Sequence, residues 1–422
     1  MDFSVLTKGI YGCDCGKDHL CPIDTVEVSP KALDTLTELC KNYENIVLLA
    51  DENTWEVCGK AAAEKLCAQN PTAIVLPGKE RLVPNEAAVA AAEAEMPRQV
   101  DLIVGVGSGV INDMSRYLSY QRNIPYFIVA TAPSMDGYAS SVAAMLFGGM
   151  KTTLPAHTPK AILAVSDVIK NAPMEMLQAG YGDIMGKFSC LNDWRLSALI
   201  NGEYFCQRVH DLMYDTVIKV RDLAPGILAR DTKAVDALME ALVVAGITMA
   251  YAGNSRPASG SEHHISHFFE ITGLQENKPY FDHGLDVLYA SVMTAKMRSQ
   301  VIKSHPVRRQ IDKSKWEQEI KRVYTGSAEG VFALQKAYGM YDRNDLDVIT
   351  EKWDEICKLL SEAPDAEEAE QLVEAIGLHY SDLEDMYGAQ KLKDAAVYAK
   401  DIRDRYSVLW LYNLYIPEED TL

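Results

Sequence analysis

The stretch SGSEHHISHFFE, residues 259 to 270, sets three imidazoles within five positions behind a run of small residues. On a helix, His263 and His267 lie one turn apart and share a face, while His264 is turned about 100° away. The next histidine, His283 in YFDHGLD, stands at what reads as the start of another helix. Upstream, AGYGDIMGKFSCLNDW offers Asp183, with Lys187 one turn later. One carboxylate and two imidazoles from three separate segments make a mixed oxygen and nitrogen site. Such a set suits a divalent transition metal and leaves coordination positions open for substrate and water. The competing reading is of core or surface histidines satisfied by ordinary hydrogen bonds, and spacing alone leaves both open.

A second candidate is DLIVGVGSGVINDMSRYLSY, residues 101 to 120, which reads as strand, glycine turn and helix. Gly105, Gly107 and Gly109 permit a sharp turn and a close approach to a phosphate, with Ser108 and free N–H groups at the helix start favouring the anion. The pattern is G-x-G-x-G rather than the full G-x-G-x-x-G, so a tight turn without a ligand competes. Asp51 ends the first strong strand, where it either meets an adenosine ribose or caps a helix. ATAPSMDGYAS, residues 130 to 140, gathers Thr131, Ser134, Asp136 and Ser140 in one loop beyond a strand, at the edge of a parallel sheet where ligands bind. A nicotinamide dinucleotide accounts for all three features together.

Two kinds of element must position these groups. Residues 1–168 alternate short apolar runs (NIVLLADENT, AIVLPG, VDLIVGVGSG, YFIVATAPS) with helical stretches, and KTTLPAHTP and KAILAVSDVI close this half. Apolar runs of that length with helical crossovers predict a parallel sheet covered on both faces. Residues 169–422 repeat apolar positions at helical spacing and predict an all-α half, and the candidate metal- and substrate-binding residues Asp183, His263, His267 and His283 fall within it. The cleft between two such domains is the expected place for a ligand. The final hundred residues, rich in Glu, Asp and Lys, read as solvated outer helices, and the sequence assigns them no function.

With 422 residues, 48% hydrophobic and 24% charged, the chain has the composition of a globular protein of two domains. A net charge of -19 lacks the basic footprint of a nucleic-acid or anionic-membrane binder. No stretch approaches the roughly 20 uninterrupted apolar residues of a membrane span. The start, MDFSVLTKGIYGCDCG, lacks a basic region followed by an apolar one, so no signal peptide is expected and a cytoplasmic location is. Nine cysteines fit reduced thiols better than a disulfide framework. Four candidate ligands crowd into CDCGKDHLC: Cys13, Cys15, His19 and Cys21. Their spacing is not the paired C-x-x-C of structural zinc, so a turn with incidental thiols is expected.

Taken in order, GVGSG, TAPSMDGYAS, AGYGD, SGSEHHISH and DHG resemble the sn-glycerol-1-phosphate dehydrogenase family, in its bacterial form encoded with arabinose-use genes. That family lies within the superfamily of iron-containing alcohol dehydrogenase, glycerol dehydrogenase and dehydroquinate synthase. The likeness runs from about residue 20 to 300 and takes in CDCGKDH. It implies a Rossmann-like parallel-sheet domain followed by an all-α domain, the dehydroquinate synthase-like fold. It implies reversible reduction of dihydroxyacetone phosphate by NADH or NADPH, with one zinc or nickel ion, in a homodimer.

Position by position, the resemblance assigns Asp183, His263 and His283 to the metal. Gly107, Ser108, Gly109, Thr131, Ser134 and Ser140 go to the dinucleotide, with Asp51 the least distinctive match. His267 and Asp136 go to the substrate and its proton, and His264 is left incidental. For the substrate phosphate, Arg256 before the helix start and Lys187 beside Asp183 are the candidates, against a surface arginine and an ordinary cap. Three other functions are consistent with parts of the pattern: a metal-dependent glycerol or polyol dehydrogenase, a carbocycle-forming lyase and a dinucleotide sensor. The lyase branch carries glutamate where Asp183 stands and more basic residues than these motifs hold. A sensor has no need of the complete Asp–His–His set.

Overall fold

The structure, a computed structural model, describes residues 1–78, 82–148 and 150–418. The chain divides into two compact units, Met1–Tyr181 with Asp222–Asn254, and Gly182–Arg221 with Ser255–Leu422.

Among the described residues, eight strands belong to the first unit: β1 (Thr25–Val28), β2 (Ile46–Asp51), β3 (Thr72–Leu76), β4 (Leu102–Gly107), β5 (Tyr126–Ala130), β6 (Val142–Phe147), β7 (Met150–Pro155) and β8 (Ala161–Ala164). Six form one sheet in the order β1-β8-β5-β4-β2-β3, every pair parallel. β4, β5 and β8 are buried along their whole length, which is why they read as unbroken apolar runs rather than alternating ones. Alternate residues of neighbouring strands, Leu48, Val104, Val129 and Leu163 among them, share a core with Leu36 and Leu66 from the covering helices. From β2 the chain runs outward to β3 and then returns to β4 on the other side. That reversal is the topological switch point at which such sheets hold ligands, and Asp51 and the glycine turn lie at the carboxyl ends of its two strands, β2 and β4.

KTTLP does not join this sheet. It forms β7, paired antiparallel with β6 in a separate hairpin, while KAILAV supplies β8 between β1 and β5. The glycine turn leads into helix α1 (Gly109–Arg122), and a long helix α2 follows (Met174–Asn201), inside which the unit boundary falls. Helix α3 (Thr232–Ala252) belongs to the first unit and is the one described helix long and apolar enough to cross a membrane; 78% of its apolar window is buried inside the protein. The second unit is helical. Its site is built by α2, α4 (Ser261–Glu276) and α5 (His283–Lys303).

Candidate metal and dinucleotide sites

Helix α2 carries Gly182 and Gly186 one turn apart on the face turned to α5. A Cβ at Gly182 would lie 2.3 Å from the Gly284 carbonyl oxygen, and one at Gly186 would lie 2.4 Å from Val287 Cγ1. Only glycine permits this approach, and it brings Asp183 on α2 to His283 at the start of α5. Helix α4 delivers His263 to the same point. Ligand atoms of Asp183, His263 and His283 lie within 4.8 Å of one another. Asp183 is fully buried and His263 is 4% exposed, so neither is an ordinary surface group.

The neighbours fix this trio in a form that fits a metal ion. His263 turns Nε2 to Asp183 Oδ1 at 3.5 Å and donates Nδ1–H to the buried Glu262 at 2.7 Å. Glu262 is itself held by the Gly260 N–H at 2.9 Å. A carboxylate behind a histidine, aiming its other nitrogen inward, is the usual support of a metal-ligating imidazole. Two ligand arms of about 2.0–2.1 Å at a tetrahedral angle span about 3.4 Å, close to the Asp183–His263 separation. Ser266 Oγ stands 3.2 Å from His283 Nδ1 and orients the third ligand.

Charge within the cluster is concentrated. Burial pushes the Asp183 carboxyl up, but Lys187, with Nζ 2.7 Å from Oδ1, and the His263 hydrogen bond outweigh it and hold Asp183 well below the carboxylate range. Burial and Lys187 pull His263 down, yet its bonds to Asp183 and Glu262 leave it above the usual imidazole value. His267 stacks beside the trio, with its ring centroid 5.4 Å from that of His283 and 6.0 Å from that of His263. His264 is not on the surface. It has no exposure, neither ring nitrogen has a hydrogen-bond partner among the described residues, and burial with Arg405, Arg403 and Arg256 nearby keeps it well below its ordinary value.

Arg256 is engaged within the protein: Nε donates to Glu203 Oε1 at 2.8 Å, Nη2 to Glu203 Oε2, and Nη1 to the Tyr406 carbonyl at 2.6 Å. Another arginine faces the histidines instead. Arg403 Nη2 lies 3.2 Å from His267 Nδ1, and no carboxylate among the described residues pairs with its guanidinium. It comes from the acidic C-terminal region and carries no local motif, so sequence spacing gave no signal for it.

In the first unit, Gly105 and Gly107 let α1 close onto β4. A Cβ there would meet Ser115 Oγ at 2.4 Å and Ile111 Cβ at 2.5 Å respectively; Gly109 faces only Met135, at 3.7 Å. Ser108 is the N-cap of α1 but makes no capping bond. Its hydroxyl pairs with Ser134 Oγ at 2.6 Å, and Tyr138 OH, anchored on the Ala132 carbonyl, lies 3.3 Å away. The first-turn amides of α1 therefore carry no side-chain cap and point at a position where an anion would be held. Buried Arg116 stitches the following loop to α1 through the Gly137, Tyr138 and Val142 carbonyls. Thr131 is buried and its N–H reaches the Gly107 carbonyl at 3.2 Å; Asp136 is half-buried at the loop tip. Ser140 Oγ bonds Val142 at the hairpin start. Asp51 caps the turn Glu52–Thr54, with Oδ1 accepting from the Thr54 N–H at 2.9 Å, so a ribose hydroxyl would share this carboxylate.

Comparison with known proteins gives the class. The description "iron-containing alcohol dehydrogenase" matches residues 27–173. Solved structures of a glycerol dehydrogenase from Schizosaccharomyces pombe (TM-score 0.54, 18% identity, 89% of this chain and 94% of that one) and a probable glycerol dehydrogenase from Sinorhizobium meliloti (TM-score 0.60, 16% identity, 93% and 95%) share the fold. The fold is thus that of the iron-containing alcohol and glycerol dehydrogenases. Among curated proteins, glycerol-1-phosphate dehydrogenase [NAD(P)+] of Geobacillus thermodenitrificans is 31% identical over 73% of this chain and 78% of its own length. Its counterpart in Bacillus licheniformis is 28% identical over 98% of this chain and 94% of its own. The chain belongs to the glycerol-1-phosphate dehydrogenase family.

Proposed function

We propose that this chain reduces dihydroxyacetone phosphate reversibly to sn-glycerol 1-phosphate, using NADH or NADPH and one divalent ion, zinc or nickel. The observation that carries this reading is the convergence of buried Asp183 and His263 with half-buried His283, with Glu262 and Ser266 behind the imidazoles. When bound, a divalent ion there supplies Lewis-acid polarisation of a carbonyl oxygen, and a nicotinamide supplies hydride. Gly107, Ser108 and Gly109 offer amides for the pyrophosphate, and Thr131, Ser134 and Ser140 line the loop beside them. Asp51, where it meets a ribose, repels a 2′-phosphate and favours NADH.

His267 provides the proton. Arg403 has only donors, so the Nδ1 it faces is an acceptor, and the neutral imidazole carries its proton on Nε2. An imidazole in that form donates to the oxygen that gains charge as the ketone is reduced. Asp136 is the acidic partner of that step expected from the family. Lys187, wholly buried against Asp183, keeps the carboxylate ionised and aimed rather than reaching for substrate. The phosphate falls to Arg403, whose guanidinium forms no direct ion pair with a carboxylate among the described residues and whose remaining N–H groups suit a phosphate oxygen pair.

Nine free cysteines, four of them at least partly exposed, support a reducing cytoplasmic setting; a homodimer is the assembly expected of the family. The test is the rate of NADH oxidation by zinc- or nickel-loaded protein with dihydroxyacetone phosphate against unphosphorylated dihydroxyacetone. A strong preference for the phosphorylated ketone is expected. Equal rates, or a preference for the unphosphorylated one, would make the chain a polyol dehydrogenase.

A further inference from the structure

We propose that Cys13, Cys15 and His19 form a second metal site, structural and independent of the reaction, that takes zinc. The segment CDCGKDH is folded for it. Ile10 and His19 exchange both backbone hydrogen bonds, each 2.8 Å, and close a knuckle over the residues between them. Inside the knuckle, Gly16 N–H bonds the Cys13 carbonyl at 2.9 Å and Gly12 N–H bonds Asp18 Oδ1 at 2.8 Å. Gly12 and Gly16 adopt positive φ, 62° and 83°, the left-handed conformation that favours glycine and reverses the chain tightly between the two thiols and the imidazole.

The ligand atoms of Cys13, Cys15 and His19 lie within 4.8 Å of one another. Cys15 Sγ stands 3.4 Å from His19 Nε2. Arms of about 2.3 Å to sulfur and 2.0–2.1 Å to nitrogen at a tetrahedral angle span about 3.5 Å, so this edge needs almost no movement to receive zinc. His19 is fully buried, and its Nδ1 lies 2.8 Å from the Tyr251 carbonyl oxygen. A carbonyl only accepts, so Nδ1 carries the proton and Nε2 turns its lone pair to the thiols. A backbone carbonyl fixing the tautomer from behind is the support a metal-ligating histidine has.

Cys21, the fourth member of the sequence cluster, stands apart, its thiol pointing to the Ile23 carbonyl. Two thiolates and an imidazole match zinc's preference for sulfur and nitrogen, leaving one corner of the tetrahedron to a further donor. The consequence is mechanical. Zinc would clamp the N-terminal segment in the shape that bonds Tyr251, in the last turn of α3.

Cobalt(II) tests this in the full-length protein. The Asp183 set has no sulfur, so thiolate-to-cobalt charge-transfer absorption reports on the cysteine site alone. The band is expected in cobalt-loaded wild type and in His283→Gln, to bleach when zinc is added, and to vanish in Cys13→Ser/Cys15→Ser together with one bound metal per chain. No band in the wild type, or a band that survives the double substitution, overturns the proposal. If the double variant does not fold, alkylation of the wild type decides. Protection of Cys13 and Cys15 by metal supports the site, and equal labelling with and without metal refutes it.

Discussion

Lys187 Nζ lies 2.7 Å from Asp183 Oδ1 with both side chains fully buried, inside the cluster that presents His263 and His283. Removing one partner of a buried ion pair leaves an uncompensated charge, a loss of about 3–5 kcal/mol. A divalent ion at Asp183 would replace that compensation and would be repelled by the ammonium. Lys187→Met should therefore destabilise the metal-free protein by about 3–5 kcal/mol, destabilise the metal-loaded protein clearly less, and bind metal more tightly. Denaturant unfolding with and without zinc measures the difference, which equals the gain in metal-binding free energy. Identical losses in both states would show that no ion is held by Asp183.

Arg403 separates the phosphorylated substrate from its analogue. Losing a charge-assisted hydrogen bond costs about 1.5–3 kcal/mol, so Arg403→Met should lower kcat/KM for dihydroxyacetone phosphate roughly 10- to 100-fold more than for dihydroxyacetone. Arg403 also holds His267, so both substrates lose some rate, and the readout is the ratio between them. An unchanged ratio would leave Arg403 as a positioning residue for His267 alone.

Gly107 and Gly109 should respond differently to alanine. A Cβ at Gly107 collides with Ile111 on the first turn of α1, so Gly107→Ala should cost about 1–3 kcal/mol of stability and weaken NADH binding as the amides shift. At Gly109 the new methyl meets only ordinary contact with Met135. Gly109→Ala should leave the midpoint of unfolding nearly unchanged while lowering NADH affinity, as read by quenching of NADH fluorescence. Full NADH affinity in both variants would remove the glycine turn from the cofactor site.

His264 predicts an acid limb in stability. Burial and the arginines around it place its folded-state value well below the ordinary 6.5, so the folded protein stays unprotonated there while the unfolded chain takes up a proton. The stability this residue supports is present above about pH 6.5 and is lost as pH falls, at about 1.4 kcal/mol per pH unit. His264→Leu removes the linkage without stranding a partner. Between pH 7.5 and 5.5 wild type should lose about 1.4 kcal/mol more than the variant, a difference that parallel urea titrations resolve. Equal losses would mean His264 is protonated in the fold.

How much of this was legible follows from the range of each interaction. β4 and β5 are fully apolar because both faces are covered, and that signature is local. β1, half-buried at the sheet edge, reads TVEV and does not stand out from a loop. The one-turn spacing of His263 and His267 is visible in the string of residues. The approach that joins Asp183 to His283 depends on Gly182 and Gly186 meeting α5, about a hundred residues on, which no periodicity reports. The same limit hid the arginines. Arg256 reads as a free guanidinium beside a helix start until Glu203 is folded against it, and Arg403 reads as one charge in an acidic tail until it reaches His267. His264 shows the limit of helical phase, since an imidazole turned away from its neighbours' face is buried by other helices.

The metal's role in turnover is measured by the steady-state oxidation of NADH by dihydroxyacetone phosphate, followed before and after a chelator strips the protein and again after zinc or nickel is restored. Activity is expected to disappear with the metal, to return with it in the wild type, and not to return in His263→Ala or His283→Ala. Stripped protein that turns over as fast as loaded protein would contradict that role.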